Sequence, residues 1–129
     1  MKLRLKYLCA VIVLIPIGLL SRRIEFLPDA CGDALWSMMM FCCWRILLVR
    51  RNLTTAAAAA LITAFTVEFS QLIRYDWLDS FRSTFIGHMM LGQGFLWTDL
   101  VADAIGIAVI YIVAAWLSAN NSTNSLFQP

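Results

Sequence analysis

Charge is scarce in this chain. Only 14% of its 129 residues are Asp, Glu, Lys or Arg, where a soluble domain carries about 25%. That scarcity argues against a water-exposed globule. The net charge of +2 gives no reason to expect nucleic acid as a partner, because the basic residues sit at the ends of apolar runs and not on one polar face. Histidine occurs once, at His88. The four cysteines, Cys9, Cys31, Cys42 and Cys43, show no metal-ligand spacing; three of them lie in apolar runs, where cysteine serves as a small buried residue. Cys31 has no evident disulfide partner. No serine or cysteine stands in a legible pairing with a base, so no catalytic residue is assigned. No cofactor and no metal are expected, and no repeat of useful length is present.

Apolar residues, by contrast, make up 61% of the chain and come in long runs, which a soluble core does not need. The fold class expected is all-α: an integral membrane bundle of four transmembrane helices, with a short interfacial or re-entrant segment between helices three and four. Residues 1–118 form the single domain, and 119–129 a polar, disordered tail. The first run, Leu5 to Leu20, has a basic start like a signal peptide, but no small-x-small cleavage pattern follows it, so it reads as an uncleaved helix. Pro16 and Gly18 are expected to kink it. Ser21 to Gly32 connects to a second run, Asp33 to Val49, in which Asp33 is placed as an N-cap and Arg45 is expected to snorkel toward Arg50 and Arg51.

Leu53 to Ile73 is the third helix. Ala56, Ala60 and Ala64 form a small-xxx-small stripe suited to close helix approach, and the same face continues into Glu68 and Gln71. Tyr75 to Phe85 separates Trp77, Leu78, Phe81 and Phe85 from Asp76, Asp79, Ser80, Arg82 and Ser83, a pattern for a short helix in the membrane interface. Ile86 to Phe95 is too short to span and is interrupted by Gly87, Gly92 and Gly94; it reads as a shallow re-entrant or surface segment. Trp97 to Leu117 is the last helix, with Asp99 and Asp103 four apart on one face and Gly106 continuing it.

The charges are segregated by end. Lys2, Arg4, Lys6, Arg50 and Arg51, with Arg45, fall at one end; Arg22, Arg23, Arg74 and Arg82 fall at the other. That count places both termini in the cytoplasm. All eight acidic residues, Glu25, Asp29, Asp33, Glu68, Asp76, Asp79, Asp99 and Asp103, collect at the opposite end. A carboxylate one turn inside an apolar helix, as at Glu68 or Asp103, costs a few kcal/mol unless it is paired, protonated or wet.

The binding candidates are therefore Arg22, Arg23, Asp33, Glu68, Gln71, Arg74, Asp79, Arg82, His88, Asp99 and Asp103. Arginines and helix N-termini suit phosphate; carboxylates suit an ammonium, a sugar hydroxyl or a divalent cation. The bland alternative is an ion-pair network that fixes helix register. The preferred reading is a non-enzymatic site for an anionic envelope lipid or lipid-linked headgroup at the outer face. A membrane enzyme using Glu68, Asp99 and Asp103 is the runner-up. A structural helper docking through the alanine face onto a larger envelope protein, or onto a second copy, is the third.

Four stretches carry a family likeness: Gly32-Asp33-Ala34-Leu35-Trp36, Val67-Glu68-Phe69-Ser70-Gln71-Leu72, Trp77-Leu78-Asp79-Ser80-Phe81-Arg82, and Leu91-Gly92-Gln93-Gly94-Phe95-Leu96-Trp97-Thr98-Asp99-Leu100. Together they resemble a family of small bacterial membrane proteins described as a domain of unknown function and similar to the VanZ-like group. That group's pattern has Glu-x-x-Gln ending one helix, an arginine soon after, then Asp and a glycine opening the next. Glu68, Gln71, Arg74 or Arg82, Asp99, Asp103 and Gly106 fill those places, Asp103 standing where that group carries Asn. The resemblance implies a multi-pass protein of the bacterial inner membrane, in an envelope or antibiotic-resistance context, with lipids as partners.

Overall fold

The computed structural model describes residues 2–24, 26–92 and 94–126; Glu25, Gln93 and residues 127–129, which the sequence reading had placed in the acidic set, a family motif and the tail, lie outside them. Among the described residues there are six helices and no strand: α1 (Lys2–Ser21), α2 (Asp29–Leu47), α3 (Leu53–Ser70), α4 (Asp76–Arg82), α5 (Phe85–Leu91) and α6 (Trp97–Leu126). α2 is the hub, packing against α1, α3 and α6, while α3 also packs on α6.

Close approach is what holds these helices together. Ala56, Ala60 and Ala64 are fully buried on one face of α3, so nothing larger than a methyl group separates that face from its neighbours. The stripe is consumed inside the molecule and is not a free docking face for another protein. At the α2–α6 crossing, a Cβ on Gly106 would run into the Ala34 carbonyl and the Ser37 hydroxyl. Ser37 Oγ donates to the carbonyls of Ala34, at 2.9 Å, and Asp103, at 3.1 Å, which stitches the two helices at that level. Phe41, Cys42, Ile107 and Ala114 complete the core, and Trp44 Nε1 donates to Thr63 Oγ1 at 3.0 Å.

Among the described residues three helices, not the expected four, are long and apolar enough to cross a membrane: Leu3–Ser21, Leu53–Ser70 and Trp97–Asn120. α2 falls short because Asp29, Asp33, Ser37 and Arg45 lower its hydropathy. Of these groups Ser37 and Arg45 are buried, Asp33 pairs with Arg22, and Asp29 is exposed at the start of the helix. Asp33 is not its N-cap: the helix begins four residues earlier, behind Pro28, whose fixed φ suits entry to a helix. Arg45 does not snorkel. It is buried, donating at 2.8 Å to the Arg51 carbonyl and stacking 5.4 Å from the Tyr7 ring centroid. The chain reverses there, after α2 ends at Leu47, and the exposed carbonyls of that turn take the guanidinium. Asn52 then caps α3 through Thr55 N–H at 2.8 Å.

α3 ends at Ser70, earlier than Ile73; α4 is the short helix expected between Tyr75 and Phe85, and the stretch expected to be re-entrant or on the surface begins as a second short helix, α5, packed on α4. α5 is a surface helix, with Phe85, Ile86 and Met90 exposed and Gly87 buried against the Phe81 carbonyl. Phe69 stacked on Phe95, which in turn meets Trp97 edge to face, ties the entry of α6 to the end of α3. α6 continues through Leu126, past the expected end at Leu117, so the stretch 119–126 is helical.

The packing predicts that Gly106→Ala and Ala60→Leu each destabilise the protein by about 1–3 kcal/mol, as overpacking of a filled core does. Ile62→Leu, on the exposed face of α3, should stay within about 0.5 kcal/mol of the parent. Unfolding in detergent checks this. Equal stability of all three variants would mean that the helices do not meet through their small residues.

Candidate functional site

The sequence places a carboxylate pair, four residues apart, at the start of α2 (Asp29, Asp33) and another at the start of α6 (Asp99, Asp103). One helical turn keeps each pair on one face. The alanine face of α3 delivers Glu68 and then Gln71 to the same level. The antiparallel packing brings these three helix ends together, and they enclose a cavity of about 210 Å³. Arg22, just past α1, closes one side, and His88 to Leu91 of α5, with Gly92 after it, close another.

The hydrogen bonding inside is incomplete. Asp103 is 1% exposed, and neither of its carboxylate oxygens has a partner. Glu68 is 7% exposed, and its Oε2 is also without one, as is Oε1 of the buried Gln71. A buried polar group left in this state is destabilising, by about 1–3 kcal/mol and more when charged. Asp99 is better served, accepting from Thr98 Oγ1 at 3.2 Å. The N-termini of α2 and α6 bring partial positive charge to this end, but that field fades within the first turn and gives little to Asp103.

The arginines do not supply the missing donors. Arg22 pairs with Asp33 at 2.9 Å. Arg82 is 2% exposed and donates to the carbonyls of Ser70, at 2.6 Å, and Ile73, at 3.0 Å. It thereby covers the carbonyl end of α3, which explains why the helix stops there. Asp79 lies 3.4 Å from Arg82 and 3.6 Å from the exposed Arg74. Arg23 is exposed outside the cavity.

The eleven candidates thus divide. Arg22, Asp33, Glu68, Gln71, His88, Asp99 and Asp103 line one cavity, while Arg23, Arg74, Asp79 and Arg82 lie apart from it. A register-fixing ion-pair network accounts for Asp33 and Asp79 but not for Glu68 or Asp103. Asp29, Trp36 and Met89 also line the cavity; in the sequence, Asp29 belongs to the acidic set of that end and Trp36 to the Gly32–Trp36 stretch, while nothing marks Met89. Five carboxylates face one arginine in this space, so the arrangement favours hydrogen-bond donors over anions. Among the described residues, no three of His, Cys, Asp and Glu are grouped so as to hold a metal ion.

A family model described as "Protein of unknown function (DUF2809)" matches residues 22–107. The chain belongs to the DUF2809 family. The DUF2809 match begins at Arg22 and ends just past Gly106, so it spans the lining of the cavity while leaving out α1 and the part of α6 after Ile107. No solved structure matches the chain.

Replacing a buried carboxyl group that lacks hydrogen-bond partners should stabilise the ligand-free protein. Asp103→Asn and Glu68→Gln are expected to raise the unfolding midpoint in detergent, by the equivalent of about 1 kcal/mol or more. A lowered midpoint in both would show that these carboxylates serve as structural partners.

Proposed function

We propose that this DUF2809 chain is a membrane-embedded binding protein that holds the polar headgroup of an envelope lipid, or of a lipid-linked intermediate, in its acidic cavity. Embedding is supported by the outer surface. α1, α3 and α6 present large apolar side chains outward, among them Ile12 at 61%, Ile62 at 67% and Ile112 at 65% exposure, an apolar area that a water-soluble monomer does not carry. Tyr75, Trp77, Phe85 and Trp97 are exposed at the cavity end, as suits an aromatic belt at headgroup depth.

The observation that carries the binding reading is the buried Asp103 carboxylate, both of whose oxygens lack a partner, beside Glu68, whose Oε2 lacks one. Intramembrane ionisable groups mark functional sites by default, and here what is missing is a donor, which a headgroup hydroxyl or ammonium provides. The charge balance of the cavity moves the reading away from a purely anionic ligand, because Arg74 and Arg82, the arginines best placed in sequence to bind one, are engaged elsewhere.

Leu3, Lys6 and Tyr7 line a groove with Val113, Leu117 and Ser118, so the start of α1 lies beside the later part of α6. We assign that end, with Arg4, Arg50 and Arg51, to the cytoplasm of a bacterial inner membrane, and the cavity to the outer face. The likeness to the VanZ-like group supports an envelope context.

Native mass spectrometry of the purified protein tests this reading. Wild type should retain lipid; Asp103→Asn should lose it by about tenfold or more, since a charge-assisted bond is roughly twice as strong as a neutral one. Asp79→Asn, outside the cavity, should retain it like wild type. Absence of lipid on wild type, or unchanged retention in Asp103→Asn, contradicts the proposal. Headgroup turnover that Glu68→Gln abolishes would replace binding with catalysis.

A further inference from the structure

The polar cavity does not end at its own walls. Arg22, Trp36 and Met89 also line a second, apolar cleft between α1 and α2, whose other walls include Leu14, Leu35 and Met39. Arg22 therefore stands at the neck between a charged compartment and a hydrocarbon one. Its position is fixed from two sides. Nη2 donates to Asp33 Oδ1 at 2.9 Å, and the stem lies across Gly32, where a Cβ would come within 3.0 Å of Nε and 3.2 Å of Cγ.

A guanidinium has five N–H donors, and the Asp33 contact is the one hydrogen bond Arg22 makes among the described residues. Its side chain is one-third exposed, so donors remain for an acceptor at the neck. Beyond the neck stand Asp103, with no donor to either carboxylate oxygen, and Glu68, with none to Oε2. The sequence of environments is hydrocarbon, then cation, then carboxylates.

We infer that the ligand is a zwitterionic lipid: its chain lies in the α1–α2 cleft, its phosphodiester meets Arg22, and its terminal primary ammonium reaches Glu68 and Asp103. This deepens the headgroup-binding reading and rests on it. A head carrying only negative charge meets five carboxylates. A head carrying only hydroxyls leaves the neck cation unused. A trimethylated head offers no N–H to the carboxylates, and Trp36, the single aromatic among the cavity residues, makes no cage for it. The cavity, at about 210 Å³, holds several times the ~30 Å³ that one water occupies in the liquid, room for a small ammonium-bearing head.

The test is lipid competition on the full chain in detergent, read by native mass spectrometry. Phosphatidylethanolamine, phosphatidylcholine and phosphatidylglycerol with identical chains are offered in equal amounts, with soluble glycerophosphoethanolamine as a fourth arm. Phosphatidylethanolamine should be retained about tenfold or more over each of the others, the difference one charge-assisted bond makes. Arg22→Gln should weaken its retention and Arg22→Lys should largely restore it, with unfolding midpoints confirming that both variants fold. Equal retention of phosphatidylglycerol or phosphatidylcholine overturns the zwitterionic assignment while leaving headgroup binding in place. Displacement by the soluble headgroup at equal concentration overturns the role of the cleft, and undiminished retention by Arg22→Gln overturns the role of the neck. Retention of no lipid at all overturns the headgroup-binding reading itself.

Discussion

The backbone-close contact of α2, α3 and α6 is the constraint from which the rest of the structure follows. A methyl group at Gly106 would strike the Ala34 carbonyl, and the α3 face is alanine for three successive turns. Helices packed this closely have no room for long polar side chains along the shared seam, only for one as small as Ser37. Polar groups on those faces are pushed to where the small residues run out, and that is where Glu68 and Asp103 stand. The Ser37 bond to the Asp103 carbonyl fixes the height of α6 against α2, and with it the position of the Asp103 carboxylate.

Charge is then sorted by what each group can find locally. Arginines with long stems reach carbonyls left open at helix ends: Arg45 serves the turn after α2, and Arg82 serves the end of α3. The shorter carboxylates have no such reach and remain on the cavity wall. The result is a site whose unmet need is for donors, next to an apolar cleft that shares its arginine. In the proposed reading the ligand completes a hydrogen-bond set that the protein leaves open, at the expense of its own stability.

Much of this architecture is legible in the sequence, for reasons of scale. Long apolar runs set the order of the helices, and a spacing of four puts Ala56, Ala60, Ala64 and Glu68 on one face without any knowledge of neighbours. The same holds for Asp99 and Asp103. What is not legible depends on partners distant in sequence. The start of α2 at Asp29 reflects Pro28, and its modest hydropathy is acceptable because Ser37 and Arg45 are buried and Asp33 pairs with Arg22, so counting apolar runs overstates the helices fit to cross a membrane. The allegiance of the arginines is hidden too. Arg82 sits close in sequence to Glu68 and Asp99, yet its guanidinium is taken by two backbone carbonyls, whereas Arg22, more than forty residues from Glu68, lines the same cavity. Side chains this long choose among acceptors within several ångströms, and that choice is tertiary.

The central claim is that Asp103 and Glu68 are kept unpaired for a ligand. The most direct measurement is an experimental structure of the protein in a lipid nanodisc made with its native lipids, at a resolution that shows headgroup atoms. The account predicts a headgroup nitrogen or hydroxyl within hydrogen-bonding distance of the Asp103 carboxylate. A structure in which Asp103 and Glu68 instead pair with an arginine of the chain, across a closed cavity, would contradict it.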